Sequence, residues 1–254
     1  MKLTIYASDL AACVGMHRYQ QPWEAALRIF ERTSPSLHRS AYERVGMAIP
    51  VSVASRTLQK IHEGDVLTKV DDLIQGPVEM LDDNIQKIVD GMSISEPEFA
   101  NDLKTYVFTE RGKAGEKEVI DDFERTNNVV LSERNSKFFK KIFPCDGNVV
   151  TLGGRVDGLS EDGRLVEVKN RQRHFFNQIP VYERIQVTAY MVLTERPQCE
   201  LVERYAGQSR VTMVTFDEVF WEKVLSRMLD FAKKMFVMLD DEAAQERLIT
   251  ERDF

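Results

Sequence analysis

The sequence predicts an α/β fold in which a central mixed β-sheet is flanked by helices. The chain has 254 residues of which 43% are hydrophobic, enough to bury a sizeable core. Apolar residues alternate in several short runs between residues 148 and 216, as they do in strands, and helical spacing precedes, separates and follows these runs. We therefore expect a helical N-terminal region with an insertion over 1–104, packed on a sheet-containing core over 105–254.

The N-terminal region contains predicted helices over 8–14 and 22–33. Ser8 and Asp9 are suitable caps for the first helix. Pro22 suits the start of the second, where its missing N–H costs nothing. Residues 34–48 are predicted as a loop with a short helix. Residues 49–105 have helical apolar spacing in pieces, which indicates a helical insertion.

The core is predicted to follow the order α-β-β-β-α-β, with one further strand and a closing helix. Asp217 is the predicted N-cap of that last helix. The predicted elements are a helix over 110–126, strands over 129–131, 148–158 and 164–169, a helix over 179–195, strands over 199–205 and 210–216, and a helix over 217–239.

The most informative segment is a predicted β-hairpin whose turn is Glu161-Asp162-Gly163. Centring the hairpin there places Asp157 opposite Glu167, and directly paired residues project to one face. Lys169, two residues further on, shares that face. The opposite face carries apolar side chains suited to a core, namely Val156, Val166 and Val168.

The polar face has the chemistry of a metal site. Asp157 and Glu167 would repel each other, and a hard divalent cation such as Mg²⁺ or Mn²⁺ prefers such oxygen ligands. Lys169 adds a cation able to position a water molecule. Spacing alone leaves an alternative equally open, an exposed hairpin in which Lys169 neutralises both acids.

The hairpin also resembles a known signature. Gly154 and Asp157, followed by Glu167 and Lys169 on the next strand, resemble the G-x-x-D…E-x-K pattern of PD-(D/E)XK nucleases. Val156 stands where many members have proline, a position that varies in the RecB-like branch.

Three further motifs occur in the order of that superfamily. Gln186 to Tyr190 resembles the Q-x-x-x-Y helix of the RecB-like branch. Arg111 to Glu116 resembles the R-G-x-x-x-E helix of the lambda-exonuclease and YqaJ group. Ser8 to Tyr19 resembles the opening motif of YqaJ-type viral recombination exonucleases. The four motifs span most of the chain.

The resemblance implies a restriction-endonuclease-like core and specific roles. Asp157, Glu167 and the main-chain carbonyl of Val168 would bind one or two Mg²⁺ ions, for which Mn²⁺ could substitute. Glu116 would be a further ligand, directly or through water, and Lys169 would orient or deprotonate the attacking water. For Glu116 the alternative is a carboxylate on the helix surface.

Several residues are candidates for binding DNA. The alternatives are a hydrogen-bonded helix pair at 186 and 190, a solvated loop after residue 170, and a capping serine with a packed tyrosine near the N-terminus. The candidates are Gln186, Tyr190, Arg171, Arg173, Ser8, Arg18 and Tyr19, with His17 and His174 beside them.

The activity that the resemblance implies is a Mg²⁺-dependent 5′→3′ exonuclease on double-stranded DNA ends, in recombination, repair or viral DNA processing. Its partners would be duplex ends, the single-stranded product, a single-strand annealing or recombination protein, and copies of itself in a homo-oligomer. The alternatives are a structure-specific or single-strand endonuclease on DNA or RNA, an inactive nucleic-acid-binding module, and an interaction protein using the acidic region 49–105.

Charge and composition narrow these classes. The net charge is −7, yet residues 132–184 carry ten lysines and arginines against seven acids, a basic stretch in an acidic chain. Three widely separated cysteines indicate free thiols in a reducing intracellular compartment, the cytoplasm or nucleus of a host cell. We expect no membrane span and no signal peptide, because no apolar run is long enough. Gly112-Lys113 lacks the Walker pattern, which argues against an ATP-driven enzyme.

Overall fold

The computed structural model describes residues 1–76, 80–92 and 98–254, and these form an α/β fold with two mixed sheets flanked by helices. This confirms the predicted class. The elements in chain order are β1 Lys2–Tyr6, α1 Ala7–Cys13, α2 Pro22–Thr33, α3 Pro35–Arg44, α4 Val53–Glu63, α5 Leu67–Gln75, α6 Leu81–Gly91, α7 Phe99–Asn127, β2 Leu131–Ser132, β3 Phe139–Cys145, β4 Asn148–Gly154, β5 Gly158–Ser160, β6 Leu165–Asn170, α8 Val181–Thr194, β7 Gln198–Tyr205, β8 Gln208–Thr215, α9 Glu218–Asp240 and α10 Glu242–Thr250.

The strands form two sheets, which separate within the segment that was predicted as one strand, 148–158. The smaller sheet has the order β1-β4-β3, with β1 parallel and β3 antiparallel to β4. The larger sheet has the order β2-β5-β6-β7-β8, in which β6 and β7 are parallel. The predicted strand 148–158 is therefore interrupted at 155–157, where the chain crosses from one sheet to the other. Asp157 lies at this crossing.

The hairpin of β5 and β6 has the predicted register. Gly158 pairs with Val166, so the next position places Asp157 opposite Glu167. Gly163 adopts a φ of +84°, a left-handed conformation that favours glycine and closes the turn. Behind the hairpin, Val166 and Val168 share one apolar cluster with α7 and β7, formed by Val119, Ile120, Phe123, Leu131, Val166, Val168 and Val202. Val156, which was predicted on the same face, is buried in the larger cluster instead, because it precedes β5 in the segment that crosses between the sheets.

The N-terminus differs from prediction, because residues 2–6 form a strand that pairs with β4. This strand leads directly into α1, so Tyr6 occupies the N-cap position and the predicted cap at Ser8 is wrong. Asp9 does not cap the helix either; its carboxylate forms ion pairs of 3.3 Å with Arg28 and Arg32. By contrast, Pro22 begins α2 and Asp217 caps α9 as predicted.

The helical region has its own apolar core. It combines α4, α5 and α6 with the first half of α7, in a cluster of Ile61, Val66, Val70, Leu81, Ile85, Ile88, Met92, Phe99, Leu103 and Val107. Helix α7 is continuous through residues 104 and 105, so the predicted domain boundary does not coincide with the end of an element. Helix α7 therefore contains both the residues that pack in this cluster and the catalytic candidate Glu116.

Two further findings bear on the class of protein. Cys13, Cys145 and Cys199 are buried free thiols, as predicted. Of the helices that the described residues form, none has the length and apolar character needed to span a bilayer.

Candidate active site

Asp157 is fixed by the interruption of the sheet. Because β5 begins only at Gly158, the main-chain N–H of Val168 has no strand partner on that side, and it donates to Oδ2 of Asp157 at 2.8 Å. The side-chain amide of Asn135 donates to Oδ1 at 3.0 Å. The carboxylate is buried and has a single orientation.

The carbonyl of Val168 faces the same place. Arg164 O accepts from Ser160 N, so the carbonyl of Arg164 points toward β5. Main-chain groups two or four residues further along a strand point to the same side. The carbonyl of Val168 therefore lies on the side of the Asp157 carboxylate.

Glu167, which is buried, and Lys169, which is partly exposed, form an ion pair beside Asp157. Glu167 is 3% exposed, and its Oε1 accepts from Nζ of Lys169 at 2.8 Å. Burial, followed by repulsion from Asp157, raises the pKa of Glu167, while Lys169 opposes the rise. One lysine thus stands among more carboxylates than it can neutralise.

Glu116 is brought to this cluster by a close approach of α7 to β6. A Cβ atom on Gly115 would overlap the side-chain amide of Asn170, which donates to the Arg111 carbonyl, so alanine there would have to displace this amide. Burial and then repulsion from Asp157 raise the pKa of Glu116, and Lys169 opposes them. The structure therefore places Glu116 beside the hairpin carboxylates.

Gln186 and Tyr190 extend the site along α8. Nζ of Lys169 lies 3.4 Å from Oε1 of Gln186, whose Nε2 donates to the hydroxyl of Tyr190 at 3.1 Å. The Tyr190 ring covers Gly154, where an added Cβ would approach it to 2.7 Å. This contact explains the glycine of the motif and holds the amide of Gln186 against Lys169.

Arg171 is engaged within the protein. Its guanidinium donates to both carboxylate oxygens of Glu183 at 2.6 Å and to Glu203 at 2.8 Å, and its side chain is 10% exposed. This arrangement braces the segment after β6, and Glu183 and Glu203 occupy the guanidinium that was predicted to bind phosphate. Arg173, Arg18 and Tyr19 are exposed.

Two cavities flank the ends of the site. Ser8 lines one of about 520 Å³ together with Asn135 and Tyr190. Arg18, Tyr19 and Arg173 line another of about 820 Å³. Sequence reasoning missed Asn135, which is a loop residue in no motif; its contact with Asp157 depends on a chain reversal that spacing does not reveal.

The donor set suits a hard divalent cation. The described residues contain no group of three or more His, Cys, Asp and Glu side chains already arranged to hold a metal ion. Mg²⁺, however, usually keeps several waters and takes only one or two carboxylates. Asp157, Glu167 and the Val168 carbonyl provide such oxygens, and the surplus of buried negative charge is what a divalent cation would offset.

Comparisons with known proteins gave structural similarities only. No protein-family model matches the chain, and no curated protein matches it. Among solved structures, it is similar to SSO0001, with a TM-score of 0.46 and 12% identity over 94% of this chain and 77% of that one. It is similar to an alkaline exonuclease, LHK-Exo, from Laribacter hongkongensis, with a TM-score of 0.42 and 13% identity over 68% of this chain and 88% of that one.

A phage-related exonuclease from Haemophilus somnus 129PT is also similar, with a TM-score of 0.39 and 11% identity over 99% of this chain and 97% of that one. All three identities are 13% or lower, and all three TM-scores are below 0.5.

Proposed function

We propose that this protein is a metal-dependent nuclease that hydrolyses phosphodiester bonds in DNA. One observation carries the proposal: Asp157 and Glu167 are buried side by side, with Lys169 bound to Glu167 at 2.8 Å. Structural carboxylates in this protein, such as Glu183 and Glu203, are paired with arginine, whereas Asp157 and Glu167 have, among the described residues, only Lys169 as a common cation.

Asp157, Glu167 and the Val168 carbonyl would hold Mg²⁺ or Mn²⁺, with Glu116 as a further ligand. When bound, such an ion stabilises charge on phosphoryl oxygens and makes a water molecule more acidic. Lys169 would orient the attacking water, because Glu167 and Gln186 fix its ammonium group within reach of the carboxylates.

The narrower activity that we propose is 5′→3′ digestion of double-stranded DNA from its ends, in recombination, repair or viral DNA processing. The support for it is the resemblance of four motifs in one order, from Ser8 to Tyr190. An annealing or recombination protein that receives the single-stranded product, and a homo-oligomer, belong to the same proposal.

The test is degradation of linear duplex DNA labelled at one 5′ or one 3′ end, in Mg²⁺ and in EDTA, beside a closed circular duplex. We expect loss of the linear DNA in Mg²⁺ alone, release of the 5′ label first, and an intact circle. Cutting of the circle would indicate an endonuclease instead. No cleavage of either DNA would contradict the proposal.

A matched pair of variants locates the activity. Asp157→Asn removes a proposed ligand while keeping the size of the side chain, and we expect cleavage to fall by at least about 100-fold. Asp162→Asn changes an exposed acid in the turn of the same hairpin, where it pairs with Arg164, and should cut as wild type does. Equal activity of the two variants would show that Asp157 is not part of the active site.

A further inference from the structure

A groove beside the catalytic cluster is lined largely by aromatic and arginine side chains. It measures about 820 Å³ and lies between the first half of α7 and the segment that follows β6. We define the aromatic groove by six of its lining residues, Arg18, Tyr19, Phe108, Arg173, Phe176 and Tyr182. Asn170, the neighbour of Lys169 in β6, also lines it, so the groove begins next to the proposed catalytic lysine.

The groove contains partly exposed rings, and a base that stacks on Tyr19 or Phe108 would displace the cations now lying over them. These cations are Arg18 on Tyr19, and Arg173 and Lys104 on Phe108. Tyr19 is 67% exposed, and its ring centre lies 6.3 Å from that of Tyr182, at an interplanar angle of 64°. Tyr182 stands one helical turn before Gln186 on α8, so it connects the rings to the catalytic cluster. Phe108 on α7 and Phe176 are only partly buried. Flat, accessible rings in a polar cleft are suited to a ligand that stacks on them.

The cations of the groove are available to a ligand. Arg18 lies over the Tyr19 ring at 5.4 Å, and Arg173 lies over the Phe108 ring at 5.4 Å. Among the described residues, neither guanidinium forms an ion pair with a carboxylate. Arg171 in the same lining contrasts with them, because Glu183 and Glu203 bind its guanidinium.

We propose that the aromatic groove binds the unpaired nucleotides of a single-stranded nucleic acid, with bases stacked on Tyr19 and Phe108 and phosphates bound by Arg18 and Arg173. Bases of a duplex are already stacked on each other, whereas unpaired bases offer both faces to protein rings. This proposal rests on the proposed function for its site, since it names the strand that lies beside Lys169.

The test uses the Asp157→Asn protein in EDTA, so that binding is measured without cleavage. Fluorescence anisotropy of labelled oligo(dT), oligo(rU) and a blunt duplex gives the affinities. We expect either single strand to bind more tightly than the duplex. In this background, Tyr19→Ala and Phe108→Ala should each weaken binding by about 5- to 150-fold, the effect of one stacked base. Arg173→Ala should reduce the log–log slope of affinity against salt by about 0.7.

Matched controls separate these effects from general loss of charge or apolar surface. Arg252→Ala removes an arginine that lies over Trp23 at 4.8 Å, and Val237→Ala trims a side chain that is 65% exposed on α9. Both should bind oligo(dT) as the parent does. Phe108→Leu keeps apolar volume without a flat ring, so it should weaken binding while the protein stays folded by circular dichroism.

Unchanged oligonucleotide binding in Tyr19→Ala and Phe108→Ala, equal losses in the controls, or a preference for duplex would each overturn the proposal. Because binding is measured without a metal, failure of the wild-type protein to cleave DNA would overturn the proposed function alone. If the wild-type protein cleaves DNA but the groove variants bind single strands as the parent does, only the proposal for the aromatic groove is overturned.

Discussion

The carboxylate of Asp157 accepts a hydrogen bond of 2.8 Å from the main-chain N–H of Val168, eleven positions later in the chain. The pairing of β5 with β6 ends at Gly158, and this hydrogen bond takes its place beyond that residue. Asp157 therefore both ends the pairing of the two strands and belongs to the candidate active site. An unpaired strand N–H would otherwise be buried at a cost of about 1–3 kcal/mol. The orientation of Asp157 is therefore set before any ligand arrives.

Asn135 should matter for activity although it belongs to no motif. Its amide donates to Oδ1 of Asp157 at 3.0 Å, and partners that orient a metal ligand typically change affinity or activity by about 10- to 100-fold. We expect Asn135→Ala to weaken Mg²⁺ binding by that factor, measured as the Mg²⁺ concentration for half-maximal cleavage. Ser136→Ala, at the neighbouring position, should leave that concentration unchanged. Identical curves for the two variants would show that Asn135 does not orient Asp157.

Lys169 can be tested for proton transfer separately from charge. Lys169→Met should lower the cleavage rate by about 10²- to 10⁴-fold, because it removes the group that positions or deprotonates water. Lys169→Arg keeps a cation near Glu167, but a guanidinium stays protonated, so it should rescue DNA binding and not cleavage. Lys140→Met on β3 is the control and should cut normally. Cleavage restored by arginine would reduce the role of Lys169 to charge alone.

Two glycines on α7 should respond in opposite ways to alanine. Nothing lies within 4 Å of a Cβ added to Gly112. Gly112→Ala should therefore raise the free energy of unfolding by about 1 kcal/mol, because alanine has the higher helix propensity. A Cβ on Gly115 would overlap the amide of Asn170, so Gly115→Ala should break the hydrogen bond from this amide to the Arg111 carbonyl and disturb the packing of α7 on β6 beside Glu116. Urea unfolding should show stabilisation only for Gly112→Ala, and cleavage should fall only for Gly115→Ala. Equal behaviour would mean that the helix does not need this close approach.

The hairpin could be predicted because its information is local. An Asp-Gly turn fixes the register, and a period of two then places Asp157 and Glu167 on one face. Strand β3 was missed because it is an edge strand that contains Pro144 and exposes Ile142, a pattern that does not alternate as a half-buried strand does.

Strand β1 and helix α10 were also missed, for a different reason. Residues 2–6 do alternate between buried and exposed, but they form a strand only because β4 lies beside them, a pairing across about 147 positions that the sequence does not reveal. Helix α10 begins directly after α9, and Asp241 caps it by accepting from Ala243 N and Ala244 N. With only Asp241 between the two helices, no loop marks the start of α10.

His38 should make a contribution to stability that is lost in mildly acidic solution, while the raised pKa values of Glu167 and Glu116 act in the opposite direction. It is 4% exposed and lies between the rings of Phe30 and Tyr42, at 5.2 and 4.9 Å. Burial lowers its pKa below the ordinary 6.5, with Glu31 opposing the shift. The unfolded chain therefore takes up this proton first, and the contribution of His38 to the free energy of unfolding should decrease as the pH falls below about 6.5.

The measurement is urea unfolding at two pH values, one above and one below the ordinary pKa of histidine, for the wild type and His38→Phe. On going to the lower pH, we expect the wild type to lose stability relative to the variant, which keeps a ring between Phe30 and Tyr42. The difference between the two proteins isolates His38, because His17, Glu116 and Glu167 are common to both. Equal changes in both proteins would exclude His38 as a source of the pH dependence.

Arg171 should be a stability residue rather than a DNA contact. Its side chain is 10% exposed and pairs with Glu183 and Glu203, which are 6% and 1% exposed. Removing one partner of a buried ion pair costs about 3–5 kcal/mol, because the other charges stay buried. We expect Arg171→Met to lose about that much free energy of unfolding in urea. Lys117→Met breaks an exposed helical pair with Asp121 and should unfold at nearly the wild-type urea concentration.

A double variant separates the buried charge from lost packing. Arg171→Met with Glu183→Gln should recover part of the loss, because Glu183 is then neutral and Glu203 keeps its ion pair with Arg210. Recovery would show that uncompensated charge causes the instability. If Arg171→Met instead unfolds at the wild-type urea concentration and binds DNA more weakly, the guanidinium contacts phosphate after all, and the brace between β6, α8 and β7 is not what holds this segment in place.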